Sequence, residues 1–370
     1  MFFCTFAKKI STPRIFTHMN ELQIIQKKRN LFLDFAKAFA IILVVIGHCI
    51  QFGAGTNYLK EELFFDNIIF KYIYSFHMPL FMLISGYLFA FGIRKGAKDI
   101  IVNKTKSLIV PILAWATLPL AVFLITKDVT VFSVIKYYIA NSIYSLWFLW
   151  AVFWCSLIVL VVNKLLNDKI FVYILIFVVS FFVPDIYHID LYKFMFPYFV
   201  IGYMYKKYDL QEKLKAIYNS DCFICVIGIV FILLFCLFER DSYIYVSGHS
   251  IVGKDFVNQL FVDFYRYITG LTGSVFTLLL LIKIYNFCTQ KKILKENNVI
   301  LTIGKNTMGI YIISGFINTT ILVKVGNFIT YPNCLIIGVE SVLVIVVSIL
   351  LIRFIQQYKL LNQILLGAKG

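Results

Sequence analysis

Three ionisable residues lie within or at the edge of an apolar stretch near the start of the chain: Asp34, Lys37 and His48. A charged group at the centre of a membrane-spanning helix costs roughly 2.5–3.5 kcal/mol on insertion scales, so such groups are functional candidates. Lys37 and His48 are eleven positions apart, which is about 20° more than three helical turns and about 16 Å along the axis. We therefore expect both side chains on one face of the helix, near opposite ends.

A second histidine, His77, occurs in the segment FHMPLFMLISGYLF. Proline suits the first turn of a helix, so Pro79 predicts that His77 lies at the entrance of a second span, at a depth near that of His48. An imidazole titrates near neutrality and can accept a proton from a sugar hydroxyl. Two imidazoles in one cavity would therefore suit acyl transfer from a thioester.

Each of these residues also has a purely structural interpretation. A histidine at a membrane interface can be an amphipathic anchor, and Lys37 can extend its ammonium group to the cytoplasmic face. Asp34 can simply be its i,i+3 ion-pair partner. The shared face of Lys37 and His48 favours function, because a lysine that only reaches for the interface need not align with a histidine three turns away.

The elements that would hold these residues are membrane-spanning helices. Hydrophobic residues make up 61% and charged residues 15% of the 370 residues, with a mean hydropathy of +0.85, well outside the range of soluble proteins. The apolar runs are near the length of about 20 residues that a spanning helix needs. We predict an all-α integral membrane protein of about ten transmembrane helices, at 33–52, 72–92, 107–126, 143–163, 170–184, 191–205, 221–238, 267–287, 306–325 and 333–353.

The distribution of basic residues predicts the orientation. With the N-terminus in the cytoplasm, 25 of the 35 Lys and Arg residues fall on the cytoplasmic side and nine on the opposite side. The positive-inside rule thus favours cytoplasmic N- and C-termini in the inner (plasma) membrane. The net charge of +16 follows this topology, forms no single patch and predicts no nucleic-acid partner. Three units follow: a basic cytoplasmic segment 1–28, a transmembrane domain 29–356 and a cytoplasmic tail 357–370.

Other polar or aromatic residues are weaker candidates for catalysis or binding. Cys222 and Cys225 form a CxxC pair, but without a second pair or nearby histidines we expect core packing and no metal site. Trp147 and Trp150 are typical of an interfacial aromatic belt rather than a sugar platform. Glu340 is expected to hydrogen-bond a neighbouring helix. The longest predicted extracytoplasmic loop, about 239–266, has enough polar groups to touch a sugar.

Six segments in order resemble the landmarks of the membrane acyltransferase-3 family, especially its fucose 4-O-acetylase-like branch. They are DFAKAFAIILVVIGH, FHMPLFMLISGYLF, NKTKSLIVP, LWFLW, FPYFVIGYMYKK and IGKNTMGIYIIS. The resemblance runs from about residue 29 to 353, and its first two segments are fairly specific. It implies a ten-helix O-acetyltransferase that uses cytoplasmic acetyl-CoA as co-substrate, holds no permanent cofactor, and acylates a hydroxyl of a cell-surface or lipid-linked glycan.

The resemblance also assigns residues. Lys37 stands where many relatives have arginine, with ten residues between it and the helix-1 histidine, here His48; lysine lacks the planar fork of arginine but still attracts phosphate. Lys104 and Lys106 occupy the basic segment associated with the acyl donor, and positive-inside charge explains them equally well. Ser314 replaces a histidine found in many relatives, which gives His77 more weight.

We expect the phosphates of acetyl-CoA near Lys37, Lys104 and Lys106, and the thioester near His48. His48 would act as general base or carry the acetyl group covalently. Asp34 would orient Lys37, and His77 would orient or replace His48. Two other classes remain open: a transporter or flippase for a glycan or small anion, which the lack of an apparent repeat disfavours, and a non-catalytic scaffold in polysaccharide assembly.

Overall fold

The computed structural model describes residues 30–126, 130–218, 220–295, 298–326 and 334–368. The basic segment 1–28 lies outside these ranges. Within them the chain is helical and contains no strand. The helices of seven or more residues in these ranges are α1 Leu31–His48, α2 Ile68–Ala90, α3 Ala97–Lys104, α4 Val110–Thr126, α5 Val131–Tyr144, α6 Trp147–Leu166, α7 Ile170–Ser180, α8 Ile189–Lys207, α9 Asp221–Cys236, α10 Phe256–Gln290, α11 Val299–Lys305, α12 Thr307–Ile317, α13 Cys334–Gln357 and α14 Lys359–Leu366.

Three π-helical segments extend or join these helices. Cys49–Gly53 continues α1, Thr105–Ile109 joins α3 to α4, and Asn318–Leu322 continues α12. A π-helical turn inserts an extra residue per turn, and such turns occur frequently at functional sites. Two of these three π-helical segments follow directly on α1 and α12, the helices that carry candidate site residues.

The all-α membrane fold is confirmed. Among the described residues, seven helices are long and apolar enough to span a bilayer. The helices α7 and α9 are apolar but shorter, and α8 occupies the remaining predicted span. Each of the ten predicted spans thus contains a helix, while the count of ten spans and the orientation stay predictions.

The helix α10 differs most from the sequence prediction. It begins at Phe256 and has 35 residues, so residues 256–266 are helical and the predicted loop 239–266 is too long. The prediction placed this first part of α10 in a loop because it carries polar residues. The structure buries Asp263 and Arg266, which pair with each other (Nη1 to Oδ1, 3.0 Å).

Glycines let α2 and α8 approach closely at the centre of the bundle. A Cβ atom on Gly86 would overlap the carbonyl oxygen of Phe199, and one on Gly202 would overlap that of Leu83. Small residues allow such close backbone contact between membrane helices. The two glycines therefore fix α2, the helix that carries His77, against its neighbour.

Asp168 is a buried carboxylate in the connection between α6 and α7, and its hydrogen bonds join these two helices to α8. Its Oδ1 accepts from Tyr173 Oη at 2.5 Å, and its Oδ2 accepts from Asn163 Nδ2 at 2.6 Å, Tyr203 Oη at 2.8 Å and Lys207. Burial alone would raise the pKa of the Asp168 carboxyl, but these hydrogen bonds outweigh it and lower the pKa below its ordinary value. Both oxygens are fully engaged by the protein.

A cluster of hydrogen bonds around one buried arginine, Arg266, holds the segment before α10 against that helix. Arg266 is buried, and its five N–H groups all find acceptors. The acceptors are the carbonyl oxygens of Asp241, Ser242 and Gly248, the Asp263 carboxylate and the Ser247 hydroxyl. The second oxygen of Asp263 accepts from Gln259 Nε2 at 3.1 Å, so this cluster is also complete.

Asp185 ties the α7–α8 connection to the same segment. Its Oδ1 pairs with Lys193 Nζ at 2.6 Å, and its Oδ2 accepts the backbone N–H groups of His249 and Ser250 at 2.8 Å each. Burial raises the pKa of the Asp185 carboxyl, but these partners overcome it and bring the pKa to about 2.

The C-terminal segment is packed on the bundle. The amphipathic helix α14 receives a hydrogen bond from Trp115 Nε1 of α4 to the carbonyl oxygen of Leu365 at 2.9 Å. A Cβ on Gly367, which has a φ of 59°, would overlap the backbone of Ser107. Residues 359–367 therefore cover the joint between α3 and α4.

Candidate active site

The helix α1 carries Asp34, Lys37 and His48, and its N-terminus is capped. The Asn30 side chain accepts a hydrogen bond from Leu33 N at 3.3 Å, which fixes the first turn. One turn further, Lys37 Nζ lies 2.8 Å from Asp34 Oδ1, with side-chain exposures of 20% and 3%. The structure thus forms the Asp34–Lys37 pair that the spacing indicates, and Asp34 holds the ammonium group at this end of α1.

A second lysine joins Lys37 through a close helix contact. A Cβ atom on Gly304 would overlap the backbone carbonyl of Asp34, so only glycine lets α11 lie directly on α1. The next residue, Lys305, lines the same cavity as Lys37. Sequence reasoning missed Lys305, although it stands inside the quoted segment IGKNTMGIYIIS.

A cavity of about 250 Å³ starts at these lysines. It runs between α1, α2, α6 and α12, and its walls are apolar: Ile41, Val44, Phe81, Ile84, Phe148 and Val152. Met78 and Tyr311 also line it; Val44 is one turn before His48, and Met78 follows His77. Neither His48 nor His77 lines this cavity, but its apolar walls join the two lysines to Val44 and Met78, which are close to the histidines along α1 and α2.

His77 lies inside α2 rather than at its entrance. Because α2 begins at Ile68, Pro79 is an internal proline, and the prediction that it marks the first turn is wrong. A membrane helix tolerates such a proline when neighbouring helices satisfy the freed backbone. His77 is 3% exposed, and its Nδ1 lies 2.7 Å from the carbonyl oxygen of Ile73.

The hydrogen bond to Ile73 decides the tautomer of His77. A carbonyl oxygen only accepts, so Nδ1 carries the proton and Nε2 of neutral His77 is an acceptor. The ring lies 4.7 Å from that of Tyr74, which fits beside Gly47 of α1. This contact brings the histidine faces of α1 and α2 together.

His48 is the last residue of α1 and follows Gly47, against which Tyr74 fits. Its Nδ1 is buried and has no protein hydrogen-bond partner among the described residues. The ring makes an edge contact with Phe52, with centroids 6.0 Å apart. Tyr74 therefore contacts both the His77 ring and the residue before His48, and His48 Nδ1 is unpaired in the described part of the protein.

The two lysines of the basic segment lie outside the cavity lining. Lys104 Nζ lies 5.1 Å from the ring centroid of Phe89, and Lys106 is exposed on the π-helical segment. Leu108, two residues later, does line the cavity. Donor binding by Lys104 and Lys106 stays a prediction.

The profile of a protein family described as "Acyltransferase domain" matches residues 30–353. This range contains every residue of the site described above. The chain belongs to this acyltransferase family. As a family member with several membrane-spanning helices, it is a multi-pass membrane acyltransferase.

Two curated relatives are both called "Nodulation protein NolL". The protein of Mesorhizobium japonicum is 26% identical over 294 residues, which is 78% of this chain and 76% of the relative. That of Sinorhizobium fredii is 29% identical over 224 residues, which is 59% of this chain and 60% of the relative. No solved structure shows significant similarity to the chain.

Proposed function

We propose that this acyltransferase transfers an acetyl group from acetyl-CoA to a hydroxyl group of a cell-surface or lipid-linked glycan. The observation that carries the proposal is the apolar cavity that Lys37 and Lys305 line together with Val44, one turn before His48, and Met78, next to His77. A coenzyme A thioester has the matching form, since anionic phosphates are joined to the thioester by a linear arm. Lysine ammonium groups bind phosphate as point charges.

The proposed reaction is direct transfer with His48 as general base. His48 accepts the proton of the sugar hydroxyl while the hydroxyl oxygen attacks the thioester carbonyl carbon. The new C–O bond forms, the C–S bond breaks, and the leaving thiolate takes the proton from the imidazolium to become the coenzyme A thiol. His77 orients His48, and Asp34 orients Lys37.

The geometry also supports transfer across the membrane. Lys37 and His48 are about 16 Å apart along α1, and the excess of basic residues favours an inner-membrane orientation with the Lys37 end towards the cytoplasm. Acetyl-CoA would then enter from the cytoplasm, with Lys104 and Lys106 as outer attracting charges, and the glycan would approach His48 from the other side.

The test follows radioactive acetyl groups. Membranes that contain the wild-type protein or His48→Ala are incubated with labelled acetyl-CoA and extracted glycan, and label in carbohydrate is measured. We expect transfer by the wild type and a loss of at least 10²-fold in the variant. His188→Ala is the matched control, because His188 precedes α8 and lines no part of this cavity. Absence of transfer by the folded wild type would contradict the proposal and favour a transporter or scaffold.

A further inference from the structure

Asn318 lies at the depth of His48 on a neighbouring helix. Gly304 of α11 lies against the backbone of Asp34, and Gly326, beyond α12, lies against that of Gly55. The chain from α11 through α12 therefore runs in the same direction as α1. Asn318 is fourteen residues after Gly304, and His48 is fourteen residues after Asp34. Since both helices rise by about 1.5 Å per residue, the two side chains reach the same level. The π-helical segments Cys49–Gly53 and Asn318–Leu322 pack against each other, as this register requires.

Asn318 also shares a helix face with a residue of the cavity. Tyr311, Ser314 and Asn318 follow the i, i+3, i+7 spacing that places side chains in one stripe. Tyr311 lines the cavity together with Lys37. The stripe therefore runs from the cavity towards the level of His48, with Asn318 at its histidine end.

The Asn318 side chain has no partner in the described part of the protein. The residue is 0% exposed, and neither Oδ1 nor Nδ2 has a protein hydrogen-bond partner there. Ser314, one turn earlier, is also buried, but its hydroxyl donates to the carbonyl oxygen of Tyr311 at 3.3 Å. A buried amide with two unpaired atoms has lost its hydrogen bonds to water without replacement, and hydrogen bonds to a ligand would offset that loss.

We propose that Asn318 is a catalytic residue that donates a hydrogen bond from Nδ2 to the thioester carbonyl oxygen during acyl transfer. This oxygen gains negative charge as the C–O bond forms and loses it when the C–S bond breaks. A preorganised donor in a water-poor site stabilises that charge in the transition state. The inference rests on the proposed function and adds the group that stabilises the oxyanion beside the base His48.

The test compares two variants of Asn318 with a neighbouring control. Asn318→Ala removes the amide, and Asn318→Leu keeps a side chain of similar size that cannot donate. For both we expect kcat to fall by about 10²–10³-fold per folded molecule, with KM for acetyl-CoA changed less than about twofold. Thr319→Ala is the control, because Thr319 is exposed and its hydroxyl donates to Gly315 O at 2.9 Å; it should retain the wild-type kcat.

The outcomes separate this inference from the proposed function. Should the wild type transfer acetyl groups while both folded variants keep its kcat, the amide is structural and the inference is wrong. A rise in KM with unchanged kcat would also overturn it, since it would show ground-state binding only. If Asn318→Ala does not fold, Asn318→Leu alone decides. A wild type that transfers nothing overturns the proposed function, and this inference with it.

Discussion

Two regions of buried polar groups in the described part of this protein differ in their partners. At Asp168 and at Arg266, every acceptor or donor of the charged group is engaged by the protein. At the end of α1 the situation is reversed, because His48 Nδ1 and both side-chain atoms of Asn318 are buried without a protein partner among the described residues. Both regions lie in the same helical bundle, where burial of a polar group costs free energy unless it is hydrogen-bonded.

This difference separates polar groups that stabilise the fold from polar groups that are available to bind a ligand. A charged group whose hydrogen bonds are all made within the protein stabilises one packing of the helices, and its removal leaves the partners buried and unpaired. An unpaired group stabilises nothing until a substrate supplies the missing atoms. We therefore expect substitutions in the first region to change stability and those in the second to change rate.

The largest effect should come from His77. Its proton on Nδ1 is fixed by the carbonyl oxygen of Ile73, so His77→Phe removes the Nε2 acceptor while keeping an aromatic ring. We expect kcat to fall by about 10²–10⁴-fold with little change in melting temperature. The check is the acetyl-transfer rate per folded molecule. A variant with full activity would show that His77 is only a packing residue.

The next largest effect is on stability. Asp168→Ala leaves Lys207, Asn163 and two tyrosines without their common acceptor, so we expect the free energy of unfolding to fall by about 3 kcal/mol or more. Asp209→Ala breaks an exposed ion pair with Lys206 and should change stability far less, because solvent screens that pair. Thermal unfolding in detergent measures both. Equal stabilities of the two variants would contradict the assignment of Asp168 to the structural region.

A smaller effect is expected at the lysine end of the cavity. Lys37→Met keeps much of the side-chain volume but removes the charge, so KM for acetyl-CoA should rise about tenfold, as expected for a lost charge-assisted hydrogen bond. Lys37→Arg keeps the charge and offers a bidentate fork, so it should leave KM near the wild-type value or lower it. Steady-state kinetics at low ionic strength measure both. An unchanged KM in Lys37→Met would remove Lys37 from the donor site.

The smallest effect is a pH dependence of stability. The pKa of Asp185 is about 2 in the folded protein, below the ordinary value of about 3.9. A lowered folded pKa contributes stability that is present above pH 4 and is lost as the pH falls towards 2. Relative to Asp185→Asn, the wild type should lose about 1 kcal/mol between pH 6 and pH 3. Parallel pH profiles of the two proteins would contradict the role of the Lys193 pair.

The sequence predicted the helical membrane fold and the Asp34–Lys37 ion pair, because apolar length and an i,i+3 spacing are local properties. That Lys37 and His48 act on one face of α1 stays a prediction. Lys305 and Asn318 could not be assigned in the same way, since their depth depends on the contact between Gly304 and Asp34, which are far apart in sequence. The start of α10 was missed for a related reason: Arg266 resembles a loop residue until the acceptors that surround it are known.

The most direct test of this account is the acetyl-transfer rate of purified His48→Ala, measured per folded molecule together with its melting temperature. The account predicts a rate lower by at least 10²-fold, a melting temperature close to that of the wild type and an unchanged KM for acetyl-CoA. Retention of the wild-type rate would contradict it, and so would a lost rate that is explained entirely by unfolding.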